Sequence, residues 1–279
     1  MKAVAEVIPP PQSWLRLQSF LVRSDRRQDQ FTAAHQARTA SRQVLYLALH
    51  LLPGAFAYLL VNVSAIHGFM VRVSHIPDPL LQGLCMVGVM VAWHLFFPFI
   101  VLNRAEKLSF RQIVSFLGLD HFDFKGFFLI VPLFFLVYTL LSLPFMRFAY
   151  PVLVDWINLV PWLRDPSYSI FQEDRIYLLP GWMLFLFAVG NFVGEEVYFR
   201  GYLLKKIGFL GSWAWIVNSM LFTIYHMWQP SMTWPLIIFS LAFGLLMRWR
   251  KNLYPLILFH FLVNIVWGAI IGAVLERWH

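Results

Sequence analysis

YLLPGWMLFLFAVGNFVGEEVYFRGYLLKK, residues 177–206, decides how this chain must fold. The apolar run 177–199 is long enough to cross roughly 30 Å of hydrocarbon at about 1.5 Å per residue. Yet it carries two adjacent glutamates, Glu195 and Glu196, and Arg200 follows at once. An ionisable side chain inside a spanning helix costs about 2.5–3.5 kcal/mol even on the lenient insertion scale, so it needs a reason. Glu196 and Arg200 are four apart, share a helix face and can form a charge-assisted pair. Glu195 is turned about 100° from Glu196. One carboxylate can therefore be held by Arg200 while the other faces a cavity. The plainer reading is a buried ion pair that packs two helices, but two acids and one base leave a carboxylate over.

The same pattern recurs along the chain. Apolar runs lie at about 44–66, 79–102, 126–148, 177–199, 209–228, 233–248 and 253–275. These predict an all-α, polytopic transmembrane bundle of about seven spans, with 233–248 the short one. The connector 150–163 reads as an interfacial helix, or as a re-entrant segment that would make eight. Residues 1–43 are polar and basic, and Trp14, Leu17, Phe20 and Leu21 recur there at helical spacing opposite Arg16 and Arg23. This predicts a basic N-terminal segment with a helix in the headgroup layer or a disordered tail. The transmembrane domain is expected over 44–279, with the chemistry-bearing core at about 177–275.

Composition agrees. Of 279 residues, 59% are hydrophobic and 13% charged, about half the charge of a typical soluble chain. Cys85 is the only cysteine, which excludes an intramolecular disulfide and a cysteine-based zinc site. The net charge of +8 sits beside apolar segments rather than in one patch, which argues for lipid contact and orientation, not nucleic acid. With the N-terminus inside, the inner segments hold 16 Lys and Arg, the outer ones 5. The expectation is an integral membrane protein with a cytoplasmic N-terminus and an uncleaved first span.

Two further motifs follow the glutamates. Phe222 and His226 stack on one face of the fifth run, and His260 and Asn264 do the same in the seventh, presenting two donors to one neighbour. Alone, such a histidine is as readily a packing residue, and such a pair interhelical glue. Together, a free carboxylate, two imidazoles and a carboxamide suit water-mediated peptide cleavage: a carboxylate helped by histidine takes a proton from water, and neutral donors hold the oxyanion.

These residues resemble the CPBP family of CAAX proteases and bacteriocin-processing enzymes, related to the Ras-converting CAAX endopeptidase. The family's signature reads here as Glu195-Glu196-x-x-x-Arg200, Phe222-x-x-x-His226 and His260-x-x-x-Asn264, and the resemblance covers about residues 180–270. It implies an intramembrane glutamic-type endopeptidase. In it, Glu195 and His226 activate water, and His260 and Asn264 form the oxyanion hole. Glu196, Arg200 and Phe222 support them. The substrate would be a membrane-embedded or membrane-anchored protein or peptide, with no cofactor. Size and family distribution imply a prokaryotic cytoplasmic membrane.

Other readings stay open on the residues alone. Glu195, His226 and His260 also suit zinc, which would make a metal-dependent hydrolase. A non-catalytic scaffold or immunity protein would likewise show polar residues along a cavity. His50 and His94, in the first two runs, read as packing or hydrogen-bonding residues. Trp182, Trp213, Trp215, Trp228, Trp234 and Trp249 fall near segment ends as aromatic belts do, with Trp228 and Trp234 placed to flank a substrate entrance.

Overall fold

The computed structural model describes residues 12–23, 26–164, 166, 169–170 and 175–276. Among them the chain is helical, without strands. Two short helices, α1 (Gln12–Leu21) and α2 (Arg26–Ala34), precede the first long one, α3 (Ala40–Val61). Then come α4 (Ser64–Ser74), α5 (Asp78–Arg104), α6 (Phe110–Leu117), α7 (Gly126–Phe148) and α8 (Tyr150–Asn158). The C-terminal part holds α9 (Gly181–Lys206), α10 (Ala214–Tyr225), α11 (Pro230–Arg250) and α12 (Leu253–Ala273). Six of these, α3, α5, α7, α9, α11 and α12, are long and apolar enough to cross a membrane. Helix α10 is the exception in the chemistry-bearing half.

That exception corrects one expectation. The segment 233–248 is not the short one: with Pro230–Thr233 it forms a continuous 21-residue α11. The short element is α10, 12 residues or about 18 Å. Its apolar run is cut at one end by a turn in which Gly211 takes φ 57°, closed to most side chains, and at the other by His226, whose ψ of 33° leaves the helix. Helix α10 therefore starts at the level where α9 ends and stops part-way along α11, so its C-terminal end lies inside the bundle. The 150–163 segment forms the nine-residue α8, with Pro151 in its first turn and Pro161 beyond its end. It is too short to span, and Val152, Trp156 and Leu159 stay exposed along it. It is an outer helix, not an eighth crossing.

The basic residues gather at one end of the bundle. Arg250, at the end of α11, bonds both oxygens of Asp123, at 2.7 and 2.6 Å, and the Leu21 carbonyl. Lys206 pairs with Glu106, and Lys251 with Asp29. The Arg23 amide donates to the Trp249 carbonyl at 2.7 Å, and Lys125 lies 4.1 Å over the Phe20 ring. Helix α1 is thus docked on this end; the Trp14 side chain lies outside the described residues. At the opposite end Asp78 holds His67 at 2.6 Å and Arg175 at 3.1 Å.

Helix α9 runs through the middle. An added Cβ at Gly190 would come within 2.5 Å of the Met90 Cβ, and one at Gly194 within 2.6 Å of the Met90 carbonyl oxygen. This small-x-x-x-small face lets α9 lie against α5 at backbone distance. Much of α9 from Gly190 to Leu203 is wound as π-helix, a local widening often found at functional sites. On the other side, a Cβ at Gly54 of α3 would collide with the Tyr225 carbonyl. The end of α10 is thereby pinned between α3 and α9.

Candidate active site

Glu195 is the geometric centre of the candidate residues. Its side chain is fully buried. Oε1 stands 3.8 Å from His226 Nε2 and 3.5 Å from the Tyr225 hydroxyl, and Oε2 stands 3.9 Å from His260 Nε2. Three helices, α9, α10 and α12, thus deliver a carboxylate and two imidazoles to one place.

Both rings are oriented by their far nitrogens. His226 Nδ1 lies 2.8 Å from the Phe222 carbonyl, one turn back on its own helix, so that nitrogen carries the proton. Its Nε2 is then turned toward Glu195. His260 Nδ1 lies 2.9 Å from Glu196 Oε1, which also accepts from Arg200 Nη1 at 3.2 Å. A carboxylate on the outer nitrogen fixes a ring's tautomer and orientation, as in many metal and hydrolase sites. The sequence-predicted Glu196–Arg200 pair therefore exists, and it does more than pack helices: it holds His260.

Arg200 is itself fully buried. Its guanidinium lies 3.8 Å from the Phe222 ring centroid and 5.0 Å from that of Phe243. Cation–π contact in a desolvated place is worth about 2 kcal/mol or more, which helps keep the charge where Glu196 needs it. Phe222 also meets the His226 ring edge to face at 4.8 Å. Phe222 therefore touches both sides of the constellation.

Asn264 sits apart from this centre. Its Nδ2 donates to Asn191 Oδ1 at 2.7 Å, and the residue is exposed. His260 and Asn264 nonetheless reach the same neighbour, α9. Both line a cleft of about 380 Å³ whose wall also includes His226, Tyr138, Phe239 and Trp267. The cleft is aromatic and apolar along its length and polar where His226, His260, Asn191 and Asn264 meet. Glu195 does not line it. The free carboxylate expected to face a cavity lies one layer back, because the two imidazoles from α10 and α12 stand between it and the opening.

Sequence reasoning missed two neighbours. Tyr225 precedes His226 and touches Glu195. Asn191 is four residues before Glu195 on α9, a spacing that signals a shared face. His94 of α5, read as a packing or hydrogen-bonding residue, is buried and stacks on Tyr198 at 5.0 Å and against Tyr225 at 5.2 Å. Neither of its ring nitrogens has a hydrogen-bond partner among the described residues. His50 is hydrogen-bonded instead: Nδ1 faces the Tyr46 carbonyl at 2.7 Å and Nε2 accepts from Asn218 at 3.0 Å. Trp228 and Trp234 do not flank the cleft. Trp228 is buried against Tyr225 and His226 in a second apolar cluster with Ala57 and Met90, and Gln229, Met232 and Thr233 line the opening in its place. Among the described residues no group of three or more His, Cys, Asp or Glu side chains is arranged as a metal-holding cluster.

With that geometry in view, comparison with known families is decisive for the C-terminal part. Residues 177–266 match the family model of the type II CAAX prenyl endopeptidase Rce1-like proteins. This part of the chain is similar to the CAAX proteases of that family. No curated protein and no solved structure matches the chain. The Rce1-like stretch contains all seven residues of the three motifs and ends two residues past Asn264. The chain thus carries a stretch similar to a peptidase family within a helical bundle whose six long helices are apolar enough to cross a membrane.

Proposed function

We propose that the protein is an intramembrane glutamic-type endopeptidase that hydrolyses a peptide bond in a membrane-embedded or membrane-anchored protein. The observation that carries this reading is the buried Glu195 carboxylate set 3.8 and 3.9 Å behind the Nε2 atoms of two imidazoles, His226 and His260, which themselves line the polar end of a cleft. In the proposed reaction a water enters from the cleft and is held by Glu195 and His226. Its oxygen attacks the scissile carbonyl carbon as its proton passes to this pair. The carbonyl oxygen becomes an oxyanion. Asn264 has a second amide N–H beyond the one given to Asn191 and donates it there, alongside His260 when His260 carries a proton on Nε2. The C–N bond then breaks, and His226, whose ring lines the cleft, delivers the proton to the leaving amine.

Charge balance supports the assignment. Glu195 and Glu196 ask for two cations in a region where an unpaired charge is costly. Arg200 supplies one through its pair with Glu196 at 3.2 Å, and the two imidazoles stand beside Glu195. Residues 1–43 and the basic end are read as cytoplasmic from the placement of Lys and Arg, and the membrane as prokaryotic from size and family distribution.

Comparison of membrane-protein termini between a deletion strain complemented with the wild-type chain and one complemented with Glu195→Gln tests the proposal. A membrane protein shortened only in the wild-type strain, and cleaved by the purified wild-type chain but not by the variant, is the expected result. Undiminished cleavage by Glu195→Gln overturns it.

A further inference from the structure

The cleft that His226 and His260 line has a direction along the bundle. On α11 its wall begins at Met232 and stops at Phe243, seven residues or about 10 Å short of Arg250 at the basic end. On α12 it begins at His260, about 10 Å beyond Leu253, and continues outward to Gly268. On α9 the wall residue is Asn191, about 22 Å from Lys206, and on α7 the wall lies at Tyr138 and Met146, in the half away from Gly126. None of these helices lines the cleft within about 10 Å of the basic end. Leu246, Leu253 and Leu256 are fully buried there and close it. At the other end Met232 and Gly268 are exposed, and the Tyr150 hydroxyl donates to the Met232 carbonyl at 3.1 Å, joining α8 to the start of α11 beside the mouth.

The wall has a second property. Among the described residues it carries no Asp, Glu, Lys or Arg. Its polar groups beside the two imidazoles are neutral amides and hydroxyls, and the rest is aromatic or aliphatic. A charged side chain entering it would leave water without meeting a counter-charge, which is costly, whereas an apolar one loses nothing. Lys and Arg concentrate on the cytoplasmic side of membrane proteins. A cleft that is closed toward the basic end and open at the opposite one therefore faces away from the cytoplasm.

We propose that the cleft takes its substrate from the outer, non-cytoplasmic face, as an uncharged apolar stretch in the outer part of a membrane protein. The proposal rests on the peptidase reading for the word substrate, and on the Lys and Arg placement for the side. Access to the cleft can be measured without cleavage, so the two readings fail separately. Gly268 is suited to report it: an added Cβ there meets no atom within 4 Å. Leu141 of α7 is a matched control. It lies 15 residues from Gly126, as Gly268 does from Leu253, so both stand about 22 Å from the basic end, but Leu141 is exposed outside the cleft.

The test is thiol labelling of the full chain in a Cys85→Ser background, which removes the only native cysteine. Gly268→Cys, Met232→Cys, Leu141→Cys or Ala105→Cys is added, Ala105 being exposed at the basic end beside Glu106. A membrane-impermeant maleimide is applied to intact and to lysed spheroplasts. Gly268→Cys and Met232→Cys are expected to label in both, Ala105→Cys only after lysis, and Leu141→Cys in neither. Labelling of Gly268→Cys and Met232→Cys only after lysis overturns outer access, and a Gly268→Cys rate no higher than that of Leu141→Cys overturns an open cleft. The purified Gly268→Cys chain, with Glu195→Gln added so that a probe stays whole, is then labelled in micelles with a dodecanoyl tetrapeptide amide present. The neutral peptide of alternating leucine and alanine should protect at concentrations at least about tenfold lower than its analogue with one lysine in the chain. Equal protection by the two peptides, or none by either, overturns the assignment of an uncharged segment.

Discussion

The hydroxyl of Tyr198 donates to the backbone carbonyl of Leu49 at 2.7 Å. That carbonyl is the one Pro53 leaves without its usual partner, since a proline four residues on has no N–H to give. The defect in α3 and the tyrosine of α9 thus complete each other, and Trp93 Nε1 donates to the same hydroxyl at 3.1 Å. Removing the hydroxyl in Tyr198→Phe leaves a buried acceptor unpaired and is expected to cost about 1–3 kcal/mol. Pro53→Ala supplies an N–H for Leu49. The double variant Pro53→Ala/Tyr198→Phe should therefore lose less than the sum of the two single changes, read as thermal unfolding in micelles. Additive losses would mean that the tyrosine does not serve the proline gap.

Glu196 has two jobs that a substitution can separate. It accepts from Arg200 at 3.2 Å and from His260 Nδ1 at 2.9 Å. Glu196→Gln keeps an acceptor for the ring but removes the charge that would stabilise an imidazolium. Turnover is expected to fall by about 10²-fold or more, within the range general acid–base groups contribute, with KM little changed. Helical content and micelle stability should stay near wild type if the amide still bridges His260. A rise in KM at constant kcat would instead assign Glu196 to substrate binding.

Asn264 contacts neither Glu195 nor the imidazoles; its place on the cleft wall and its motif with His260 put it in the reaction. Its Nδ2 is oriented by Asn191 Oδ1. Asn264→Ala should lower kcat by about 10²–10³-fold, the usual cost of losing one oxyanion donor. Asn191→Ala should cost less, because it removes only the orienting acceptor. A kcat equal to wild type in Asn264→Ala would return this residue to the role of interhelical glue.

The seven residues of the three motifs were legible because helical spacing is local. Four residues apart means one face, and charged groups in an apolar run have few innocent explanations. What brings the three faces together is not local. That His226 meets Glu195 depends on α10 stopping short, which rests on Gly211 and on the Gly54 contact with the Tyr225 carbonyl. Neither is visible in hydrophobic periodicity, so 209–228 read as a full span. Trp228 read as an interfacial anchor because tryptophan favours segment ends, but a short α10 carries its own end into the core. The fate of His94 was equally hidden, since its neighbours Tyr198 and Tyr225 come from two other helices.

Metal dependence separates the proposed mechanism from hydrolysis by a zinc-bound water. Tetrahedral zinc with ligands at about 2.0–2.1 Å sets adjacent ligand atoms roughly 3.3 Å apart. The Glu195 oxygens stand 3.8 and 3.9 Å from the two imidazole nitrogens, a wider setting. Purified protein is expected to hold no stoichiometric zinc by elemental analysis, and cleavage should survive a strong chelator. Activity lost to the chelator and restored by zinc would assign Glu195, His226 and His260 to the metal.

Acid sensitivity should come from the basic end rather than from the cleft. Asp123 lies in the loop before α7, buried against Arg250. Burial alone would raise its pKa, but the hydrogen bonds from Arg250 and the Gly126 amide, with the charge of Arg250, outweigh this and bring it below the ordinary value. A carboxylate whose folded pKa is depressed contributes stability that is fully present above its unfolded pKa of about 3.9 and is lost as pH falls through the folded one. Wild-type protein should therefore be level in stability from neutral pH down to about pH 5 and weaken below about pH 4. Asp123→Asn leaves Arg250 buried without its counter-charge and should cost about 3–5 kcal/mol at pH 7. The acid-dependent loss should shrink in that variant, because the group that titrates is gone. Unfolding curves for both proteins between pH 3 and 7 decide it: parallel acid profiles would place the sensitive carboxylate elsewhere.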